Sequence, residues 1–108
     1  QRFVSASQLQ NAADRQLMRA AGIVTCRQRP GTASGIVFVT LEDETGLANI
    51  VVHPWLVEKQ RRELLGARLL GVYGQLQVEG EVVHLVARRL VDLSAWLGQL
   101  ETASRDFH

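Results

Sequence analysis

Five β-rich segments separated by turn residues, with one helical segment between the third and the fourth, restrict the fold more than any other feature. Residues 20 to 28 form the first segment, and a loop rich in Gly, Pro and Ser follows it. GIVFVTL is rich in β-branched residues and forms the second predicted strand. Gly46 can adopt the positive φ of the tight turn that leads into the third strand, LANIVVH.

The helical segment begins at Pro54, which suits the first turn of a helix, and ends at Gly66 after about three turns. ARLLGVYGQLQV and EVVHLVARRL are the last two predicted strands, joined by a hairpin turn at Gly80. The order β-β-β-α-β-β predicts an OB-fold, an all-β five-stranded Greek-key barrel with one helix. Gly71 and Gly74 favour closure, because glycines in strands mark the bends of small barrels. A five-stranded open sheet with the helix on one face is the alternative.

The length of 108 residues allows one core, since roughly two thirds of the surface of such a chain is buried on folding. We predict the OB-fold domain over residues 20 to 93, after a lead-in segment at 1 to 19 and before a tail at 94 to 108. The lone Cys26 suits a reducing compartment, and no apolar run approaches the roughly 18 residues of a membrane span. These features predict a cytoplasmic protein, and a start without Met suggests a piece of a longer chain.

Alternation along the strands predicts which side chains point away from the barrel core. Thr40 and Asn49 must face outward, because a buried polar group without a partner costs about 1 to 3 kcal/mol. The same alternation places Phe38 beside Thr40 and predicts that Val51 and His53 face outward with Asn49. The predicted outer surface therefore includes an aromatic ring among polar groups.

The first strand follows the same rule, which directs Val24 and Cys26 inward and Thr25 and Arg27 outward. Loops at residues 28 to 35 and 78 to 81 flank the binding face in an OB-fold, and the first of these is basic and polar. The candidate nucleic-acid-binding residues are Thr25, Arg27, Arg29, Thr32, Ser34, Phe38, Thr40, Asn49, Val51 and His53.

This surface has the composition that single-stranded DNA requires, with an aromatic ring to stack a base, at about 1 to 3 kcal/mol, and cations for phosphates. The net charge is only +1, but residues 1 to 40 carry five Arg against one Asp, and residues 41 to 58 carry four carboxylates without Lys or Arg. Such sorting is compatible with a groove for a polyanion or with an ordinary solvated surface. A protein-docking surface is the alternative function.

The residues offer no catalytic or metal chemistry. Glu42, Asp43 and Glu44 lie together in one turn, whereas a two-metal site needs carboxylates that converge from separate elements. The His and Cys residues lack the spacing of zinc ligands, and no Gly-rich phosphate loop opens a helix. We therefore expect no catalytic residue, cofactor, metal or small-molecule substrate in this segment. Trp55 and Trp96 are predicted to anchor their helices by packing.

RQRPGTASGIVFVTLEDETGLANIVVHP and the later VVHLVARRL and SRDFH resemble the C-terminal OB-fold region of bacterial DNA polymerase III alpha subunits, most closely the error-prone branch. The resemblance extends from about Gly22 to His108. It implies a parent DNA-directed DNA polymerase that acts in damage-induced mutagenesis, with its polymerase residues outside this segment. It also implies single-stranded template DNA, the sliding clamp and the inactive Y-family protein ImuB as partners.

FVTLEDETG also has a looser counterpart in the anticodon-binding OB domains of class II aminoacyl-tRNA synthetases. In those domains, an outward aromatic on the second strand and side chains of the third contact bases. Alignment on Gly46 places these roles on Phe38, Asn49 and Val51. Val51 departs from the aromatic residue often found there, which weakens the case for a second stacked base.

Overall fold

The computed structural model describes residues 5 to 10, 14 to 29 and 34 to 96, with only the backbone of Gln10. Its five strands form a closed barrel in the order β1-β2-β3-β5-β4. Neighbouring strands are antiparallel, except that β3 and β5 are parallel. The elements are α1 (Ala6–Gln10), β1 (Leu17–Gln28), β2 (Val37–Asp43), β3 (Gly46–Val52), α2 (Pro54–Lys59), α3 (Arg61–Gly66), β4 (Leu69–Glu79) and β5 (Val82–Asp92). The predicted OB-fold barrel is confirmed, and the open sheet is excluded.

The first strand is longer than its sequence pattern indicates, beginning at Leu17 rather than at residue 20. Its pairing with β4 extends further still, because Arg15 N–H donates to the Leu76 carbonyl over 2.7 Å and Leu76 N–H donates to the Gln16 carbonyl over 2.9 Å. The prediction places residues 17 to 19 in the lead-in segment instead. Tertiary pairing with β4 decides the backbone conformation.

The predicted single helix is two helices of six residues each, broken at Gln60. The Gln60 amide hydrogen-bonds with the backbone of β5: its Nε2 donates to the Leu90 carbonyl over 2.8 Å, and Leu90 N–H donates to its Oε1 over 2.7 Å. Leu56, Val57 and Leu64 enter the barrel core from this pair of helices. The pair therefore closes one end of the barrel, as a helix between the third and fourth strands does in an OB-fold.

The α1 helix packs at the turn between β2 and β3. Ala6 and Leu9 belong to the core, and the Asp43 carboxylate accepts a hydrogen bond from Ala6 N–H over 2.7 Å. Gly46 in this turn has a φ of 146°, which confirms the positive value predicted for it. Within the described part of the chain, no helix is long and apolar enough to cross a membrane.

Two β-bulges interrupt the regular alternation of side chains. The register of β1 against β2 shifts between Val24 and Cys26, and that of β5 against β4 shifts opposite Tyr73 and Gly74. Gly74 lies so close to the Val86 carbonyl oxygen that a Cβ atom could not fit there. A bulge places two residues opposite one, so both can face the same side of the sheet.

Candidate nucleic-acid interface

The outer surface of β2 and β3, which we call the front face, contains Phe38, Thr40, Asn49 and Val51. Phe38 pairs with Val51, and Thr40 pairs with Asn49. The Phe38 ring is 37% exposed, Asn49 is exposed and Thr40 is half-buried. The structure therefore brings the outward aromatic and the two polar side chains together, as alternation predicted.

Val51 lies on the front face but is only 9% exposed. It pairs with Phe38 on one side and with Val86 of β5 on the other, so apolar neighbours flank it. Val51 therefore lies on the predicted side of β3, but its strand neighbours leave little of it accessible, and its role as a contact residue stays a prediction.

The bulge in β1 changes the predicted sides of that strand. Thr25 is the extra residue; it is exposed, and its Oγ1 donates to the Thr40 carbonyl over 3.3 Å. Cys26 pairs with Thr40 and is half-buried, so the prediction that it points into the core is wrong. Val24 still packs against the core, as predicted.

Beyond the bulge, Arg27 pairs with Val39, whose side chain is in the core, rather than with a front-face residue. Its Nε donates to the Leu64 carbonyl over 2.7 Å, and its Nη2 donates to the Ala67 carbonyl. These are carbonyls at the end of α3, where helical partners are missing and a cation is favourable. Arg27 is exposed, as predicted, but the extra residue places it on the side of Val39 rather than on that of Phe38.

Of the remaining candidates, His53 directly precedes α2, and Arg29, Thr32 and Ser34 belong in sequence to the segment between β1 and β2. Arg29 and Ser34 are exposed, and Thr32 lies outside the described residues. His53 is half-buried, and its carbonyl accepts hydrogen bonds from the first turn of α2. Trp55 is 54% exposed, so the prediction that it is a packing anchor is wrong. Trp96 is 64% exposed, and the same correction applies to it.

A second group of candidate binding residues, around Tyr73, was not predicted from the sequence. Tyr73 of β4 pairs with Arg19 of β1 and Arg89 of β5. The Arg19 and Arg89 guanidinium carbons lie 4.5 and 5.7 Å from the Tyr73 ring centroid. Arg88 Nη2 donates to the Gln75 Oε1 over 3.2 Å. The sequence signal for this group was the pair Arg88 and Arg89 in one predicted strand. Regular alternation would direct one of the two inward, so the pair indicates a bulge.

The pKa of Asp43, next to the β2–β3 turn, depends partly on the contact between this turn and α1. Burial raises the pKa of Asp43, but hydrogen bonds from the Thr45 side chain and from the backbone N–H groups of Ala6, Thr45 and Gly46 outweigh it, so the pKa falls below its usual value. Asp43 thus stabilises the position of α1. Among the described residues, no group of three or more His, Cys, Asp or Glu side chains could hold a metal ion.

A closed five-stranded barrel with helices between the third and fourth strands defines an OB-fold domain. Solved structures agree on this fold. Asparaginyl-tRNA synthetase from Pyrococcus horikoshii superposes with a TM-score of 0.70 at 20% identity, covering 84% of this chain and 23% of the synthetase. A chain of the S. pombe Stn1-Ten1 complex gives a TM-score of 0.56 at 14% identity, covering 85% of this chain and 78% of that one.

Sequence relatives are far closer. An error-prone DNA polymerase of Dechloromonas aromatica is 78% identical over 107 residues, covering 99% of this chain and 10% of the polymerase. One of Azoarcus sp. is 70% identical with the same two coverages. No family model matches the chain. The chain spans about a tenth of the length of these relatives and is identified as one domain of the error-prone DNA polymerase family.

Proposed function

We propose that this chain is a nucleic-acid-binding OB module of an error-prone DNA polymerase and binds single-stranded template DNA weakly. The observation that carries the proposal is the Phe38 ring, 37% exposed on the outer surface of the barrel beside Thr40 and Asn49. The parent chain would then be a cytoplasmic bacterial polymerase of translesion synthesis and the SOS response, similar to the mutasome polymerase ImuC.

The front face suits a base better than a duplex. An exposed aromatic ring stacks on any base, and the amide of Asn49 can pair with base edges, whereas the front face consists of strands β2 and β3 and offers no helix to enter a groove. Val51 lies at the position paired with Phe38 on the neighbouring strand. With one described aromatic on this face, we expect about one stacked base and a modest affinity.

A protein-docking role is the second candidate, and a specific observation favours it. Phe38, Val51 and Val86 form an apolar row across three strands, and neither β2 nor β3 contains Lys or Arg. An apolar contact with a mutasome partner such as ImuB, or with the sliding clamp, would use this row. Such a contact would depend little on salt, because it neutralises few phosphates.

Titration of a fluorescent single-stranded oligonucleotide with the 108-residue chain at two salt concentrations separates these functions. We expect measurable binding that weakens steeply as salt rises. A duplex of the same sequence should compete less well. Absence of oligonucleotide binding at low salt would contradict the proposal, and equal competition by duplex would contradict its preference for single strands.

A further inference from the structure

A cation-rich surface surrounds Tyr73 on the outer side of β1, β4 and β5, which we call the back face. Tyr73 is half-buried at its centre, with Arg19 paired to it on one side and Arg89 on the other. Both guanidinium groups lie over its ring, at 4.5 and 5.7 Å from the centroid. The ring therefore holds two arginines from different strands at fixed positions.

The bulge in β5 adds a third cation. Because Arg88 is the extra residue of the bulge, it is exposed on the same side as Arg89 instead of pointing into the core. Its Nη2 is fixed by the Gln75 side chain, which lies two residues beyond Tyr73 on β4. The geometry thus collects three arginines around one tyrosine.

No carboxylate on these three strands lies beside the cluster. Glu79 is at the turn end of β4, and Asp92 is the last residue of β5, where it accepts hydrogen bonds from Ser94. β1 contains neither Asp nor Glu. The adjacent like charges of Arg88 and Arg89, both exposed, repel each other, so an anion bound beside them would be stabilising.

We propose that the back face binds the sugar-phosphate backbone of single-stranded DNA. This inference rests on the proposed function and assigns phosphate contacts to β1, β4 and β5. A planar guanidinium can donate two parallel hydrogen bonds to two oxygens of one phosphate. When the guanidinium stacks on an aromatic ring, the direction in which its N–H groups point is fixed. β2 and β3 contain no cation that could supply these contacts, and Arg27 is bound at the end of α3.

The test compares two double variants that remove the same charge. Arg88→Gln with Arg89→Gln changes the back face, whereas Arg61→Gln with Arg62→Gln changes two consecutive exposed arginines of α3. Oligonucleotide affinity is measured by fluorescence anisotropy across a salt series for both variants and the unchanged chain. Thermal unfolding of each protein verifies that the barrel is intact.

We expect the back-face variant to reduce the slope of log affinity against log salt by about one to two units, at roughly 0.7 per phosphate on a single strand. The α3 variant should change the slope by less than half as much. Equal changes in both variants, or an unchanged slope in the back-face variant while the unchanged chain binds, would overturn this inference alone. No binding by the unchanged chain would overturn the proposed function as well.

An acidic protein partner is the competing occupant, because carboxylates also match the guanidinium fork. Polyglutamate of the same charge as the oligonucleotide is therefore added as competitor. We expect it to displace the DNA at least tenfold less effectively than unlabelled oligonucleotide does. Equal displacement would assign the back face to an acidic peptide and overturn the assignment to DNA.

Discussion

Arg27 reaches from β1 to the end of α3, where its Nε donates to the Leu64 carbonyl over 2.7 Å. The guanidinium also donates to the Ala67 carbonyl, so one side chain satisfies a carbonyl in the last turn of α3 and the carbonyl of its C-cap residue. The bond links a barrel strand to the helices that close the barrel. Arg27, although it lies next to a basic loop, therefore has a structural role.

Arg27→Ala should lower the free energy of unfolding by about 1 to 3 kcal/mol, because two carbonyls lose a charged donor. The salt dependence of oligonucleotide binding should stay unchanged, since the group does not lie on the front face. Urea unfolding and anisotropy measure the two effects. Arg29→Ala is the control, for which we expect a stability change within about 0.5 kcal/mol. Equal stability of the two variants would contradict the structural role.

Phe38→Leu distinguishes base stacking from apolar docking. Leucine keeps most of the apolar area but has no flat ring, so oligonucleotide binding should weaken by about 1 to 3 kcal/mol. The stability should fall by no more than about 1 kcal/mol, because the ring is already 37% exposed. Anisotropy titration and thermal unfolding provide the two measurements. Phe38→Trp should retain binding, and a loss in both variants alike would argue against stacking.

Asp43 should make the barrel sensitive to acid. Its folded pKa lies below the usual value of 3.8, so its contribution to stability is complete above that value and is lost as the pH falls through the folded pKa. Asp43→Asn should therefore be less stable than the unchanged chain at pH 7, and the difference should shrink below about pH 4. Urea unfolding from pH 7 to pH 3 measures it. Glu44→Gln, at an exposed position in the same turn, is the control and should show a smaller difference at pH 7.

Gly74→Ala should destabilise the barrel by about 1 to 3 kcal/mol or more, because the added Cβ would clash with the backbone carbonyl of Val86. Gly66→Ala makes the same chemical change at the end of α3, where nothing lies within 4 Å of the added atom. That variant should be as stable as the unchanged chain or up to about 1 kcal/mol more stable, since alanine favours helix. Differential scanning calorimetry compares them. Similar melting temperatures would show that β4 can move away from β5 at little cost.

The order of the elements could be predicted from sequence because each depends on local signals. Gly46 marks a turn, and Pro54 marks the start of α2. The break in the predicted helix could not be foreseen, since it depends on the bonds between Gln60 and Leu90, which are 30 residues apart. Long-range hydrogen bonds leave no periodic pattern in the sequence.

The front face was predicted well where the strands are regular and poorly where they bulge. Phe38 and Asn49 belong to strands without an irregularity, so alternation located them correctly. Thr25 is the extra residue of β1, so Cys26 pairs with Thr40 and Arg27 with Val39, the reverse of the pairing that alternation implies, although Arg27 is exposed. A bulge depends on the register between two strands, so the residues of one strand alone do not indicate it.

Because of the bulge in β5, the length of that strand can change at this point while its core side chains still point inward. Deletion of one residue from a regular strand turns every later side chain to the wrong face. Deletion of Arg88 would do the opposite, because Ala87 would still point inward, Arg89 outward and Leu90 inward. The strand can thus lose its bulge residue without turning its interior side chains outward. That deletion, unlike one elsewhere in β5, would change the charge that the barrel presents to its surroundings.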